Sequence, residues 1–128
     1  MEIIKTQNAP APIGPYNQAV IHNETLYVSG QIGINPETGK LVEADLETET
    51  HQVMKNLTAV LEAAGADVND LIKCSIFVLD MGAFAKINEI YGSYFTGHFP
   101  ARETVEVSAL PAKARVEISA IARVNASA

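Results

Sequence analysis

The chain has 128 residues, 48% of them hydrophobic, and a formal net charge of −6 from nine Lys and Arg against fifteen Asp and Glu. A chain this long buries roughly two-thirds of its unfolded surface, enough for a single domain over 1–128 without staples. Scattered basic residues argue against a nucleic-acid partner, no apolar run approaches the ~20 residues that span a bilayer, and Cys74, alone of its kind, can form no intrachain disulfide. The opening Met1-Glu2-Ile3-Ile4-Lys5 lacks the basic start and apolar run of a signal peptide, so a cytoplasmic location is expected.

In chain order, Ile3 to Gln7 reads as a short edge strand ahead of Ala9-Pro10-Ala11-Pro12, where two prolines impose an extended path. Gly14-Pro15 turns the chain and presents the phenol of Tyr16, which can close a pocket. Ala19 to His22 and Thr25 to Ile32 form a hairpin about Asn23-Glu24. Asn35-Pro36-Glu37-Thr38-Gly39 is a turn. Asp45 to Ala64 has helical period, with Val53, Leu57, Val60, Leu61 and Ala64 on one stripe, Asp45 or Thr48 at its start and Gly65 at its end. Leu71 to Leu79 is a β-branched, apolar run expected as a well-buried strand. Asp80 is expected to cap a second helix with Phe84, Ile87, Tyr91, Tyr94 and Phe95 inward and Gly97 as its stop.

The last third carries the chemistry. Ala101 to Val107 and Val116 to Ala122 read as two strands joined through Leu110-Pro111, expected as an antiparallel pair. Alternation sends Val116, Ile118, Ala120 and Ala122 to one face and Arg115, Glu117, Ser119 and Ile121 to the other. It likewise sets Arg102, Thr104 and Glu106 opposite to Glu103, Val105 and Val107. Such a pair can bring Thr104 and Glu117 into register with Arg102 nearby, making an anion site with an acid–base group beside it. Spacing alone leaves a second reading open, in which Arg102 is a structural ion-pair partner of Glu117 or Glu106.

Other motifs lead elsewhere. Gly33 to Gly39-Lys40 has one residue too many for a phosphate loop and Leu41 where Ser or Thr is needed. His22, His51 and His98 share no metal-ligand spacing and read as solvent-facing. Ser29 lacks a nucleophile-elbow pattern. Cys74 reads as a small core residue, and the Tyr91, Tyr94 and Phe95 stripe as core. Asn88 alone reads as a structural or solvated amide. Two helices on one face of a mixed, mainly antiparallel sheet make an α+β two-layer sandwich. The other sheet face, Val105 and Val107 included, needs cover, so a homo-oligomer is expected.

Pro100-Ala101-Arg102 followed by Val116-Glu117-Ile118 and Ala120-Ile121-Ala122 resembles the signature of the Rid/YjgF family of reactive-intermediate deaminases. Ala11-Pro12-Ile13-Gly14-Pro15-Tyr16-Asn17-Gln18-Ala19, Tyr27-Val28-Ser29-Gly30-Gln31-Ile32 and Ile87-Asn88-Glu89-Ile90-Tyr91 resemble its other motifs, in the family's order from about Thr6 to Val124. The resemblance implies a chorismate-mutase-like fold and a homotrimer with sites in clefts between subunits. It implies hydrolysis of 2-imino acids such as 2-iminobutanoate and 2-iminopropanoate to 2-oxo acids and ammonia, with no metal and no cofactor. Arg102 would grip the substrate carboxylate, Glu117 would act as general acid–base, and Thr104 would supply backbone contacts at the reacting centre. Tyr16, Ser29, Gly30 and Asn88 would line the cleft. Glu103, where the family usually has a small residue, would compete for Arg102 if it turned inward; alternation turns it away. Thr104 stands where cysteine is frequent. The alternative is a regulatory trimer that binds small carboxylates without turnover. RNA cleavage, attached to some family members, is disfavoured by the acidic charge.

Overall fold

Residues 1–125 are described by the structure, a computed structural model; residues 126–128 of the expected domain lie outside the described residues. Six strands, β1 (Glu2–Ile4), β2 (Ala19–His22), β3 (Thr25–Gln31), β6 (Leu71–Val78), β7 (Ala101–Glu106) and β8 (Val116–Arg123), form one sheet in the order β1-β2-β3-β8-β6-β7. Strands β4 (Ile34–Asn35) and β5 (Lys40–Leu41) form a separate ribbon about the expected turn. Helices α1 (Leu46–Ala63) and α2 (Phe84–Gly92) pack side by side, with α1 lying on β3 and β8.

The hairpin forms as expected, with Asn23 and Glu24 both at positive φ, the geometry that matches a two-residue turn to strand twist. The helix over 45–64 also forms. Asp45 Oδ1 accepts a 2.6 Å bond from Thr48 N–H, and that bond holds the Asp45 carboxyl below its ordinary range. Val53, Leu57, Val60 and Leu61 are fully buried. Gly65, at φ 78° in the left-handed region that disfavours most side chains, follows the helix and ends it.

Three expectations are corrected. The first strand stops at Ile4, because the side-chain amide of buried Gln18 takes over the ladder's work beyond it. Gln18 Oε1 accepts from Thr6 N–H at 2.7 Å, while its Nε2 donates to the carbonyls of Thr6 and Pro10 at 3.0 and 2.9 Å. The second helix ends at Gly92 and not near Gly97. The Ser93 hydroxyl donates to Ile90 O at 2.6 Å and Phe95 N–H to Gly92 O, so the chain tightens into turns while Tyr94 and Phe95 still pack inward. Asp80 caps a short 3-10 turn ahead of that helix and not the helix itself.

A fourth correction matters most for function. β7 and β8 are not partners: β6 lies between them, antiparallel to β8 and parallel to β7. The crossover through α2 makes the β6–β7 pair parallel. The apolar β6 takes the interior of the sheet, and β7, with Arg102, Glu103 and Glu106, takes the edge, where charged side chains discourage further pairing.

Register then fixes the two faces. Ile4, Ala19, Val28, Ala120, Cys74 and Arg102 are successive neighbours across all six strands. The first five are buried under the helices. The opposite face carries the rows Glu117–Phe77–Val105 and Ser119–Ser75–Glu103. It also aligns Ile3, Val20, Tyr27 and Ile121, of which Ile3 and Tyr27 are exposed. Strand β6 is therefore buried on one side only, against the expectation of a fully buried run: Ile72 and Lys73 are exposed. No helix of the described residues is long and apolar enough to cross a membrane.

Candidate active site

Glu117 stands on the open face near the start of β8. It is half-buried, and among the described residues no side chain bonds or pairs with its carboxylate. Burial raises its carboxyl above the ordinary glutamate range. Its side chain lies over Gly30: a Cβ at that position would meet Glu117 Cδ at 2.6 Å and Oε2 at 2.8 Å. Glycine is required there by close approach, not by an unusual φ. Strand β3 is bulged at this point, since Val28 pairs with Ala120 and Gln31 with Ile118, leaving Ser29 and Gly30 opposite one residue.

The bulge opens a cleft of about 320 Å³ lined by Ile13, Tyr16, Ser29, Gly30, Ile32, Pro111 and Glu117. Tyr16 is held by the Gly14-Pro15 turn; its Oη accepts from Ile13 N–H at 3.2 Å and its N–H reaches Gly14 O at 2.9 Å. Ser29 Oγ donates to Asn17 O at 2.6 Å, tying the N-terminal segment to β3. Gln18 anchors the same segment from below, as described above. The structure thus brings Tyr16, Ser29, Gly30 and Glu117 of the expected cleft together and leaves Asn88, Arg102 and Thr104 outside it.

Arg102 is elsewhere. It lies on the helix-covered face, with its guanidinium carbon 5.3 Å from the Phe84 ring centroid and 5.2 Å from that of Tyr91. Thr104 shares its face of β7. Around them Asn88 Oδ1 and Thr104 Oγ1 are buried without a hydrogen-bond partner, while Tyr91 Oη neighbours the Cys74 thiol. Burial pushes the Tyr91 phenol up, and burial likewise pushes up the thiol of Cys74, the register neighbour of Arg102. Stranded buried polar atoms are unusual in native proteins and call for an occupant.

The expectation that one chain brings Arg102 beside Glu117 is thus corrected. Two strand boundaries and a change of face separate them. The structural alternative fails as well, because Arg102 pairs with neither Glu117 nor Glu106; Glu106 Oε1 instead accepts from Met81 N–H at 2.9 Å. Glu103 turns away from Arg102 as alternation requires. It binds the Ser75 hydroxyl and Lys73 Nζ, the latter at 3.0 Å, and the Ser75 bond first and Lys73 second hold its carboxyl below the ordinary range.

His51 is not solvent-facing: its Nδ1 lies 2.8 Å from Tyr94 Oη and joins α1 to the end of α2. Sequence reasoning missed Pro111 and Ile13 as cleft walls. It placed Phe84 and Tyr91 on the inner stripe of the second helix, seven residues apart, but not their stacking on Arg102.

The family model described as Endoribonuclease L-PSP matches residues 6–124. A RutC family protein of Pyrococcus horikoshii is 50% identical over 121 residues, covering 94% of this chain and 96% of that protein. The 2-iminobutanoate/2-iminopropanoate deaminase of Mus musculus is 48% identical, covering 94% of this chain and 90% of that one. A crystal structure of a Rid family protein of unknown function from Yersinia pestis superposes with a TM-score of 0.94 at 53% identity, covering 96% and 98% of the two chains.

Proposed function

The chain belongs to the Rid/YjgF (endoribonuclease L-PSP) family, and from that premise we propose that it is a cytoplasmic hydrolytic deaminase of small 2-imino acids. Relatives from mouse and human carry the name 2-iminobutanoate/2-iminopropanoate deaminase, at 48% and 44% identity. The observation that carries the reading is the pair of unfilled half-sites: a half-buried, unpaired carboxylate at Glu117 and an unpaired guanidinium at Arg102. Lying on opposite faces of one sheet, they meet around one small ligand only if two copies of the chain supply one each. The exposed apolar row through Ile3 and Tyr27 on the face of Glu117 supports a homotrimer that buries this face and forms a cleft at each contact.

In such a cleft Arg102 of one copy binds the substrate carboxylate through two parallel charge-assisted hydrogen bonds. The imine carbon then lies near Glu117 of a second copy, between Tyr16 and the Ser29–Gly30 bulge. Glu117 takes one proton from water as the oxygen adds to C=N and passes it to nitrogen, giving a carbinolamine; it then takes the hydroxyl proton as the carbonyl forms and delivers it to nitrogen as the C–N bond breaks. One water is consumed, and a 2-oxo acid and ammonia leave. The raised carboxyl of Glu117 suits a group that must both accept and donate. Thr104 and Asn88 complete the wall on the Arg102 side. An imine hydrolyses unaided, so orientation and one acid–base group suffice; no metal or organic cofactor enters the scheme.

The test is release of 2-oxo acid from 2-iminobutanoate and 2-iminopropanoate generated in the cuvette. Wild type accelerates it, and Arg102→Ala and Glu117→Gln each lose it. Co-expression of the two variants returns part of the activity, because mixed oligomers contain clefts with both residues intact. No return in mixed oligomers overturns the shared cleft. A wild type that binds 2-oxobutanoate but does not accelerate hydrolysis replaces the deaminase with a carboxylate-binding regulatory trimer.

A further inference from the structure

An arginine that must receive a ligand's carboxylate poses a physical problem. Left free, its long side chain loses considerable entropy on binding. Held by a protein carboxylate, its N–H edge is already taken. The two other well-held arginines of the fold follow the second course: Arg115 Nε donates to Glu49 Oε1 at 2.6 Å and Arg123 Nε to Asp70 Oδ1 at 3.0 Å. Arg102 does neither. Its guanidinium lies 5.3 and 5.2 Å from the ring centroids of Phe84 and Tyr91, and among the described residues it makes no ion pair. A ring face attracts the guanidinium through its charge and supplies no carboxylate to occupy its N–H donors.

We propose that Phe84 and Tyr91 are positioning residues for Arg102, a two-ring cradle that holds the guanidinium through its charge so that no protein carboxylate is needed to fix it and its N–H donors stay free for the substrate carboxylate. The two rings come from one stripe of α2, seven residues apart, and the first turn of that helix is set by the Asp80-capped turn before it. Phe84 is half-buried and Tyr91 is 4% exposed, so the cradle is built into the packing of the helix. The nearest carboxylate in sequence, Glu103, is drawn to Ser75 and Lys73 on the opposite face, which removes the competitor. The inference deepens the deaminase reading and rests on it for the identity of the ligand.

A cradle of this kind acts on the carboxylate alone and acts equally in ground and transition states. Phe84→Leu is therefore expected to raise KM for 2-iminobutanoate and the Kd of 2-oxobutanoate by roughly tenfold, with kcat within about twofold. The Kd of 2-oxobutanamide, which lacks the negative charge, stays where it was. Phe84→Tyr, which restores a ring, returns the wild-type Kd. Equal weakening of acid and amide, or a loss confined to kcat, overturns the proposal. A second measurement needs no variant to fold well. In wild-type protein the Arg102 guanidinium resonances, assigned through Arg102→Lys, are expected to be shifted upfield by the two ring currents; unshifted resonances overturn the cradle. Should wild type neither hydrolyse the imine nor bind 2-oxobutanoate, the deaminase reading falls, and these resonances still decide the cradle.

Discussion

Arg102 and Arg115 stand at opposite ends of the same physical choice. Arg115 gives its backbone N–H to Glu49 Oε2 at 2.7 Å and its Nε to Oε1 at 2.6 Å, so a fully buried carboxylate holds both its main chain and its side chain. Arg102 is held by ring faces and presents an empty edge. Arg102 lies in β7 and Arg115 immediately before β8, and both are partly buried. The difference teaches that an arginine's role is read from what occupies its N–H edge. A guanidinium clamped by a carboxylate braces the fold, even though Arg115 keeps one buried Nη2 without a partner; one that no carboxylate of the described residues holds is open to a ligand's.

The contrast can be broken most directly at its two ends. Arg102→Ala is expected to lower kcat/KM for 2-iminobutanoate by roughly 10²–10⁴-fold, the loss of two charge-assisted hydrogen bonds at ~1.5–3 kcal/mol each, while denaturant midpoints barely move. Arg115→Met is its mirror. It strands Glu49 without its cation and is expected to cost about 3–5 kcal/mol of stability in urea titration, with kcat/KM of the folded fraction nearly intact. If Arg115→Met is stable and inactive, the assignment of the two arginines is reversed.

A smaller effect sharpens the Glu117 side. In Gly30→Ala the new Cβ displaces the Glu117 carboxyl, which is the mobile end of a side chain, so stability changes little. Activity is expected to fall by about 10²-fold, as for other ~1 Å misplacements of a reacting group. Steady-state kinetics beside a thermal melt checks both halves of that statement.

The smallest expected effect is a pH dependence of stability. Because the Glu117 carboxyl is raised in the folded chain, the folded state binds its proton more tightly than the unfolded one. The protonated group carries no penalty below the ordinary glutamate range, and stability is lost as pH rises through the folded value. Glu117→Gln is thus expected to melt slightly higher than wild type at pH 7, with the gap closing toward pH 4. A gap of the opposite sign would mean that a cation in the assembled cleft, Arg102 of a second copy, outweighs burial at Glu117.

Much of this architecture was legible in the sequence because it is written in local terms. The 3.6-residue stripe of α1, the Asn23-Glu24 turn and the alternation in β7 and β8 each follow from neighbours in the chain. Alternation even placed Glu103 away from Arg102 correctly. What escaped was non-local: nothing between Ser108 and Ala114 states that β6 slides between the two strands. Membership of faces could be read, but which face received the helices beside Arg102 could not, and so Arg102 and Glu117 were drawn together within one chain. Gln18 escaped for a related reason, since an amide that replaces part of a ladder has no periodic signature.

The division of Arg102 and Glu117 between the two faces of the sheet also bears on dosage. If the proposed cleft between two copies is the centre, the isolated chain has no activity and turnover per chain rises with chain concentration until assembly saturates. Dilution then acts as a switch, and a chain defective in either residue poisons the clefts it enters in proportion to its abundance.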